Sequence, residues 1–211
     1  MKITKFVHAC LLVETQDRTA LFDPGMFSTS LIPEALARLD DIFITHAHPD
    51  HMDIPLVKAL RLRFPAVRIT APADAQATLA AGGIGDVQTT PPAGVRFFTA
   101  PHETVKPMGL TDPPQEIGVH YLDRLSHPGD SHHFSESMPI LALPVSAPWG
   151  STVGAVRAVL ELVRRPQYIL PIHDWHWRSE ARLQTYERLK ERFAAEGITF
   201  CSLIDGEPVT L

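Results

Sequence analysis

The chain alternates short apolar runs with polar turns, and each run has a readable period. From Ile3 to Asp23 the apolar runs are broken by Gln16-Asp17-Arg18, which predicts a β-meander or hairpin. Ile42-Phe43-Ile44-Thr45 is apolar and β-branched, the pattern of a buried strand. Asp53 then stands as an N-cap, with Pro55 in the first turn of a helix running to about Phe64. A short helical segment is expected at Pro33 to Leu39, strands at Arg68-Ile69-Thr70 and Val95 to Phe98, and a helix from Pro72 to Ala81 closed by Gly82-Gly83. In the second half Ile117 to Leu122, Ile140 to Val145, Tyr168 to Ile172 and Phe200 to Ile204 read as strands. Ser151 or Thr152 caps a helix reaching Arg165, where Pro166 stops it; Val153, Val156, Leu160 and Val163 form an apolar stripe expected to face the core. A last helix, about Ser179 to Glu196, carries Tyr186, Leu189 and Phe193 at helical spacing and ends at Gly197. Strands alternating with helices predict α/β layers. No flexible linker interrupts them, so a single domain over residues 1–211 is expected.

Composition narrows the class. Hydrophobic residues make up 45% of the chain and charged ones 20%, ordinary for a globular protein, and no apolar run is long enough to span a bilayer. The opening Met1-Lys2-Ile3-Thr4-Lys5-Phe6 lacks the apolar stretch and cleavage site of a secretion signal, so the cytoplasm is the expected location. A formal net charge of -5 disfavours a broad nucleic-acid footprint. Cys10 and Cys201 lie far apart and outside any Cys-x-x-Cys pattern, which removes a disulfide framework and a thiolate zinc site.

The chemistry concentrates in Thr45-His46-Ala47-His48-Pro49-Asp50-His51. In extended backbone residues two apart point the same way, so His46 and His48 can reach one ion while Pro49 turns the chain. Asp50 and His51 follow on the far side of that turn. Imidazoles with a carboxylate and no thiolate suit zinc, iron or manganese.

His46-Ala47-His48-Pro49-Asp50-His51 resembles the signature of the metallo-β-lactamase fold superfamily, and the likeness runs along nearly the whole chain. Leu21-Phe22-Asp23-Pro24-Gly25 is similar to the early strand that ends in a structural Asp. His102 follows the Val95 strand, Gly129-Asp130-Ser131 looks like the Gly-Asp turn, and His173 follows the Tyr168 strand. The opening His8-Ala9-Cys10-Leu11-Leu12-Val13-Glu14 also looks like the branch of ascorbate-6-phosphate lactonases and related small hydrolases, although the aromatic residues after His173 depart from it. The resemblance implies a four-layer αβ/βα sandwich and two divalent metals. His46, His48 and His102 would hold one, Asp50, His51 and His173 the other, with Asp130 bridging them.

Zinc is the metal this resemblance favours, with manganese or iron as alternatives. Two such ions outweigh the charges of Asp50, Asp130 and a bridging hydroxide, leaving a positive centre that attracts an anionic or polarised small molecule. Bound water would ionise near a pKa of about 7. The expected function is hydrolysis of a small ester, lactone or phosphodiester by the metal-bridging hydroxide, with Asp50 handling the leaving-group proton and Asp130 positioning the metals. The competing reading is a metal-binding or sensing protein without turnover. His132, His133, Trp175 and His176 are candidate substrate contacts, the three histidines also readable as solvated loop residues; Trp149, Trp175 and Trp177 could together line an apolar pocket beside the metals. His8 reads as a hydrogen-bonded neighbour of the site. The Pro-rich stretch 106–116 reads equally as a lid or as a surface connection. Oligomeric state and metal identity are not legible at this level.

Overall fold

The computed structural model describes residues 1–104, 106, 109, 112–147 and 150–211. They form two compact units, one from residues 1–91, 114–117 and 204–211 and the other from 92–113 and 118–203. Each is built on one mixed sheet.

In the first unit β1 (Lys2–Lys5), β2 (Leu11–Glu14) and β3 (Thr19–Phe22) form the antiparallel meander that the interrupted apolar runs predict. β4 (Asp41–Phe43), β5 (Arg68–Thr70) and β6 (Val87–Gln88) continue the sheet in parallel, and a closing strand, Pro208–Thr210, pairs with β1. The register aligns Leu12, Leu21, Ile42, Ile69 and Val87 across the strands on one face. That row shares one apolar cluster with Val57 and Leu60 of α1 (Ile54–Arg63) and with Ala75 and Leu79 of α2 (Ala73–Ala81). Leu11, Val13, Ala20, Phe22 and Phe43 occupy the opposite face and are buried too, with the Phe22 and Phe43 rings stacked at 5.1 Å. Burial of both faces is the usual setting of parallel strands. The helix expected at Pro33 to Leu39 is only the 3-10 turn Pro33–Ala35, because Leu36 has already returned to extended backbone.

In the second unit β7 (Val95–Phe98), β8 (Gly118–Tyr121) and β9 (Leu125–His127) are antiparallel, and β10 (Ile140–Pro144), β11 (Tyr168–Ile172) and β12 (Thr199–Phe200) are parallel. α3 (Thr152–Glu161) and α4 (Ser179–Ala194) supply Ala155, Val159, Tyr186, Leu189 and Phe193 to a cluster that includes Leu141, Leu143 and Ile169. The expected stripe on α3 is corrected here. The helix ends at Glu161, Ala155, Ala158 and Val159 are its buried residues, and Val153 and Val163 are 69% and 91% exposed. Two alanines allow a close approach to the sheet; of the expected stripe Val156 still packs, partly buried, on the same cluster while Val153 and Val163 turn outward, and Val153, Val156 and Leu160 line a groove alongside α4. The strand expected at Phe200 to Ile204 is only Thr199–Phe200. Among the described residues no helix is long and apolar enough to cross a membrane.

Candidate functional site

The first unit contributes the contiguous donors. β3 is followed at once by Asp23, a non-glycine residue in the left-handed region (φ 44°), where its carboxylate turns toward the end of β4. One oxygen accepts the Thr45 N–H and the other accepts the Thr45 hydroxyl, both at 2.8 Å. The second oxygen also takes His51 Nδ1 at 2.8 Å. An ionised carboxylate only accepts, so Nδ1 carries the proton and Nε2 is the nitrogen with a lone pair to offer. After Pro49 the chain makes one tight turn in which the N–H groups of His51 and Met52 both donate to the His48 carbonyl, at 3.0 and 2.9 Å. Asp53 then caps α1 by accepting the Leu56 N–H at 3.1 Å, as expected.

The turn is laced to the exit of β3. Met26 N–H donates to the Pro49 carbonyl at 2.8 Å and Asp53 N–H to the Pro24 carbonyl at 2.9 Å. Between them Gly25 lies so close that a Cβ placed on it would be 1.7 Å from the Asp50 carbonyl oxygen. Only glycine fits there. His46 Nε2 is 3.1 Å from His48 Nδ1, with the two rings nearly perpendicular. Behind it, His46 Nδ1 faces Thr45 Oγ1 at 3.0 Å and Glu116 Oε1 at 3.3 Å. His8, also left-handed (φ 56°) and buried, places Nε2 3.1 Å from Asp50 Oδ2, and His51 Nε2 lies 3.9 Å from the same oxygen.

The second unit contributes donors that are scattered in the chain. His102 follows β7 and donates Nδ1–H to the Glu103 carbonyl at 2.6 Å; its Nε2 is 3.5 Å from Asp130 Oδ2. His173 follows β11 in a left-handed conformation (φ 65°), donates Nδ1–H to the Ser146 carbonyl at 2.7 Å, and brings Nε2 to 3.0 Å from Asp130 Oδ1. Strained backbone of this kind gathers where side chains must be aimed. The neighbouring Asp174 is buried and accepts the Tyr186 hydroxyl from α4, with Arg182 3.9 Å away.

The spacing of these atoms tests whether a metal fits. Ligands held at about 2.0–2.2 Å by a tetrahedral ion lie about 3.3–3.6 Å from one another. The Asp130–His102 contact at 3.5 Å falls within that range, and the His46–His48 pair at 3.1 Å and the Asp130–His173 contact at 3.0 Å lie a few tenths of an ångström below it. His46, His48, Asp50 and His51 in one unit, and His102, Asp130 and His173 in the other, are therefore groups that could hold metal. Thiolates play no part: burial pushes the Cys10 thiol up to about 12 and raises Cys201 as well.

The remaining sequence candidates are spread along the second unit. His132 is largely buried, donates Nε2–H to the Pro144 carbonyl at 2.7 Å, and gives its backbone N–H to Glu103 Oε1 at 3.2 Å. His133 is 66% exposed and reaches Glu103 Oε2 at 3.3 Å. Trp175 is 44% exposed. His176 contacts Ser146 Oγ at 3.1 Å, and burial, with the nearby His173, lowers its pKa. Trp177 packs on the α3–α4 cluster. Trp149 lies outside the described residues, as do Pro107, Met108, Leu110 and Thr111 of the stretch read as a lid or connection. Glu103, Glu116, Asp174 and Tyr186 carry no sequence motif, and periodicity had marked only Tyr186, as a core residue.

Comparison with known proteins bears on the family and the fold. The family described as "Beta-lactamase superfamily domain" matches residues 2–173. Protein Rv0786c of Mycobacterium tuberculosis is 34% identical over 206 residues, covering 90% of this chain and 92% of that protein. Among solved structures, a protein assigned as a metal-dependent hydrolase in Parabacteroides distasonis has a TM-score of 0.73 at 21% identity, covering 94% of this chain and 90% of its own. Igni18, a metallo hydrolase from the archaeon Ignicoccus hospitalis, has a TM-score of 0.71 at 18% identity, with 99% and 97% covered.

Proposed function

The chain belongs to the beta-lactamase superfamily and has the metallo-β-lactamase fold, and on that premise we propose that it is a binuclear metal-dependent hydrolase acting on a small ester, lactone or phosphodiester. The observation that carries the reading is that each unit holds metal-donor atoms close to the spacing of ligands on one ion, His46 with His48 in the first and Asp130 with His102 and His173 in the second. In this reading the two units work as one domain over residues 1–211. His46, His48 and His102 would hold one ion, Asp50, His51 and His173 the other, and Asp130 would serve both. Zinc suits a set of imidazoles and carboxylates without thiolate, and iron or manganese would accept the same ligands.

Divalent ions, when bound, act as Lewis acids and bring the pKa of coordinated water to about 7. The chain's own part is to aim and to move protons. Asp23 fixes His51 with Nε2 presented, and His8 steadies Asp50 Oδ2. Asp50, 17% exposed and joined to the buried His8, can pass a proton to a departing group from Oδ2. With both ions present the centre is net positive, which favours an anionic or strongly polarised small molecule. His133, Trp175 and His176 are exposed or part-exposed and are the side chains offered to that substrate; His132, largely buried and held by the Pro144 carbonyl, would reach it only at its edge. A cytoplasmic setting goes with this reading, since Cys10 and Cys201 lie far apart in the chain and offer no disulfide framework.

The test is metal content of protein purified without chelator, together with a screen of ester, lactone and phosphodiester substrates on the unchanged chain and on His48→Ala. About two ions per chain and hydrolysis lost in His48→Ala are expected. No metal after incubation with zinc, iron or manganese would remove the reading. So would hydrolysis undiminished in the variant.

A further inference from the structure

Glu116 lies seventy positions beyond His46 and just before β8, in the short segment 114–117 that packs with the first unit. Two hydrogen bonds from its backbone hold the segment there: Ile117 N–H donates to the Thr45 carbonyl at 3.0 Å, and Gln115 N–H to the Asp74 side-chain Oδ2 at 2.8 Å. The Glu116 side chain is fully buried, and so is that of His46. A buried carboxylate is costly unless a donor or a cation meets it. Here it meets His46 Nδ1 at 3.3 Å.

The proton on that ring can be located by elimination. The Thr45 hydroxyl has one proton, and it is directed at Asp23 Oδ2. Toward His46 Nδ1, 3.0 Å away, Thr45 Oγ1 therefore offers a lone pair. Glu116 Oε1 offers another. Nδ1 faces two acceptors, so it bears the hydrogen, and Nε2 is left with the lone pair beside His48. We infer that Glu116 is a positioning residue that locks His46 in the Nδ1–H tautomer and, through its negative charge, makes Nε2 a stronger metal donor. Partners of this kind typically change metal affinity by about 10–100-fold.

This inference rests on the metal-binding reading above, and the experiment separates the two. Zinc affinity is measured by chelator competition on the unchanged chain, Glu116→Gln and Glu116→Ala, and the His46 ring nitrogens are observed by NMR in the metal-free proteins. Glu116→Gln keeps an oxygen acceptor and loses the charge, so about tenfold weaker zinc binding with the tautomer retained is expected. Glu116→Ala loses both, with affinity falling toward about 100-fold and a second tautomer of His46 appearing. If Glu116→Ala fails to fold, Glu116→Gln alone decides through its zinc affinity. Zinc bound by the variants as tightly as by the unchanged chain, even alongside a lower melting temperature, would make Glu116 merely structural and overturn the proposal. If the unchanged chain binds no zinc, the hydrolase reading fails, while the nitrogen spectra still decide whether Glu116 sets the tautomer.

Discussion

The two units orient their imidazoles by different means. In the first, side-chain carboxylates stand behind the rings: Asp23 accepts from His51, and Glu116 faces His46. In the second, the backbone does it: the Glu103 carbonyl accepts from His102 and the Ser146 carbonyl from His173. A carboxylate adds charge as well as direction, and one substitution can remove it. A carbonyl adds direction only, and it moves only when the loop moves. The first unit should therefore be fragile at single side chains that touch no substrate, and the second should respond mainly to changes in what packs its loops.

The sharpest way to break the first unit is Gly25→Ala. Its added methyl would occupy the place of the Asp50 carbonyl, 1.7 Å away, so the 49–53 turn would have to leave the exit of β3. We expect a loss upwards of about 4 kcal/mol in denaturant unfolding, beyond the range of ordinary substitutions. Chains that still fold should lose metal from Asp50 and His51.

Next in size is a direct contest between the two devices. Asp23→Asn replaces an acceptor of three buried donors by an amide whose NH2 must meet one of them, an expected cost of about 3–5 kcal/mol. Tyr186→Phe removes the hydroxyl that α4 extends to Asp174, next to His173, and should cost about 1–3 kcal/mol. The contrast matters more than either figure. Zinc titration of Asp23→Asn should show the site weakened with His51 mis-tautomerised, whereas Tyr186→Phe should keep His173 on the Ser146 carbonyl and bind zinc nearly as before. Equal losses of affinity in both would erase the distinction between carboxylate and carbonyl support.

The same contrast explains what could be read in the sequence. The first unit's donors are contiguous, and strand-turn-helix chemistry around 42–64 is local: a β-branched run, Pro49, then Asp53 and Pro55. That stretch was legible in nearly every element. His102, Asp130 and His173 could be located only through resemblance, because each follows a different strand and nothing local marks it. Glu116 was invisible, since its contact with His46 exists only after a crossover of seventy residues brings its segment back to the first sheet. His8 reads from sequence as a hydrogen-bonded neighbour of the site, and so it is, but its partner was not legible: the bond to Asp50 depends on a left-handed backbone that no pattern announces. On α3 the error was one of face. Period 3.6 allows an alanine-rich stripe and a valine-rich stripe on the same helix, and close packing against the sheet selected Ala155, Ala158 and Val159 over the bulkier set. The strand Pro208–Thr210, paired with β1, was likewise a matter of long-range register rather than local signal.

The smallest effects sharpen the comparison most cleanly, because each unit has one helix with a side-chain N-cap of similar geometry. Asp53 accepts from Leu56 at 3.1 Å at the start of α1, and Ser151 accepts from Gly154 at 3.0 Å at the start of α3. Replacing either by alanine should cost about 1 kcal/mol, read as a fall in the denaturation midpoint with an unchanged slope. Their effects on metal should differ. α1 begins three residues after His51, and the N–H of its cap Asp53 is itself tied to the Pro24 carbonyl, so fraying its first turn loosens the backbone that carries Asp50 and His51. α3 begins beyond Ser146 and carries none of the proposed ligands. Asp53→Ala should thus lose zinc affinity along with stability, and Ser151→Ala should lose stability alone. If the two variants weaken zinc equally, the first unit's donors are not held by local capping, and the lacing between Pro24, Gly25 and the 49–53 turn must carry the whole burden.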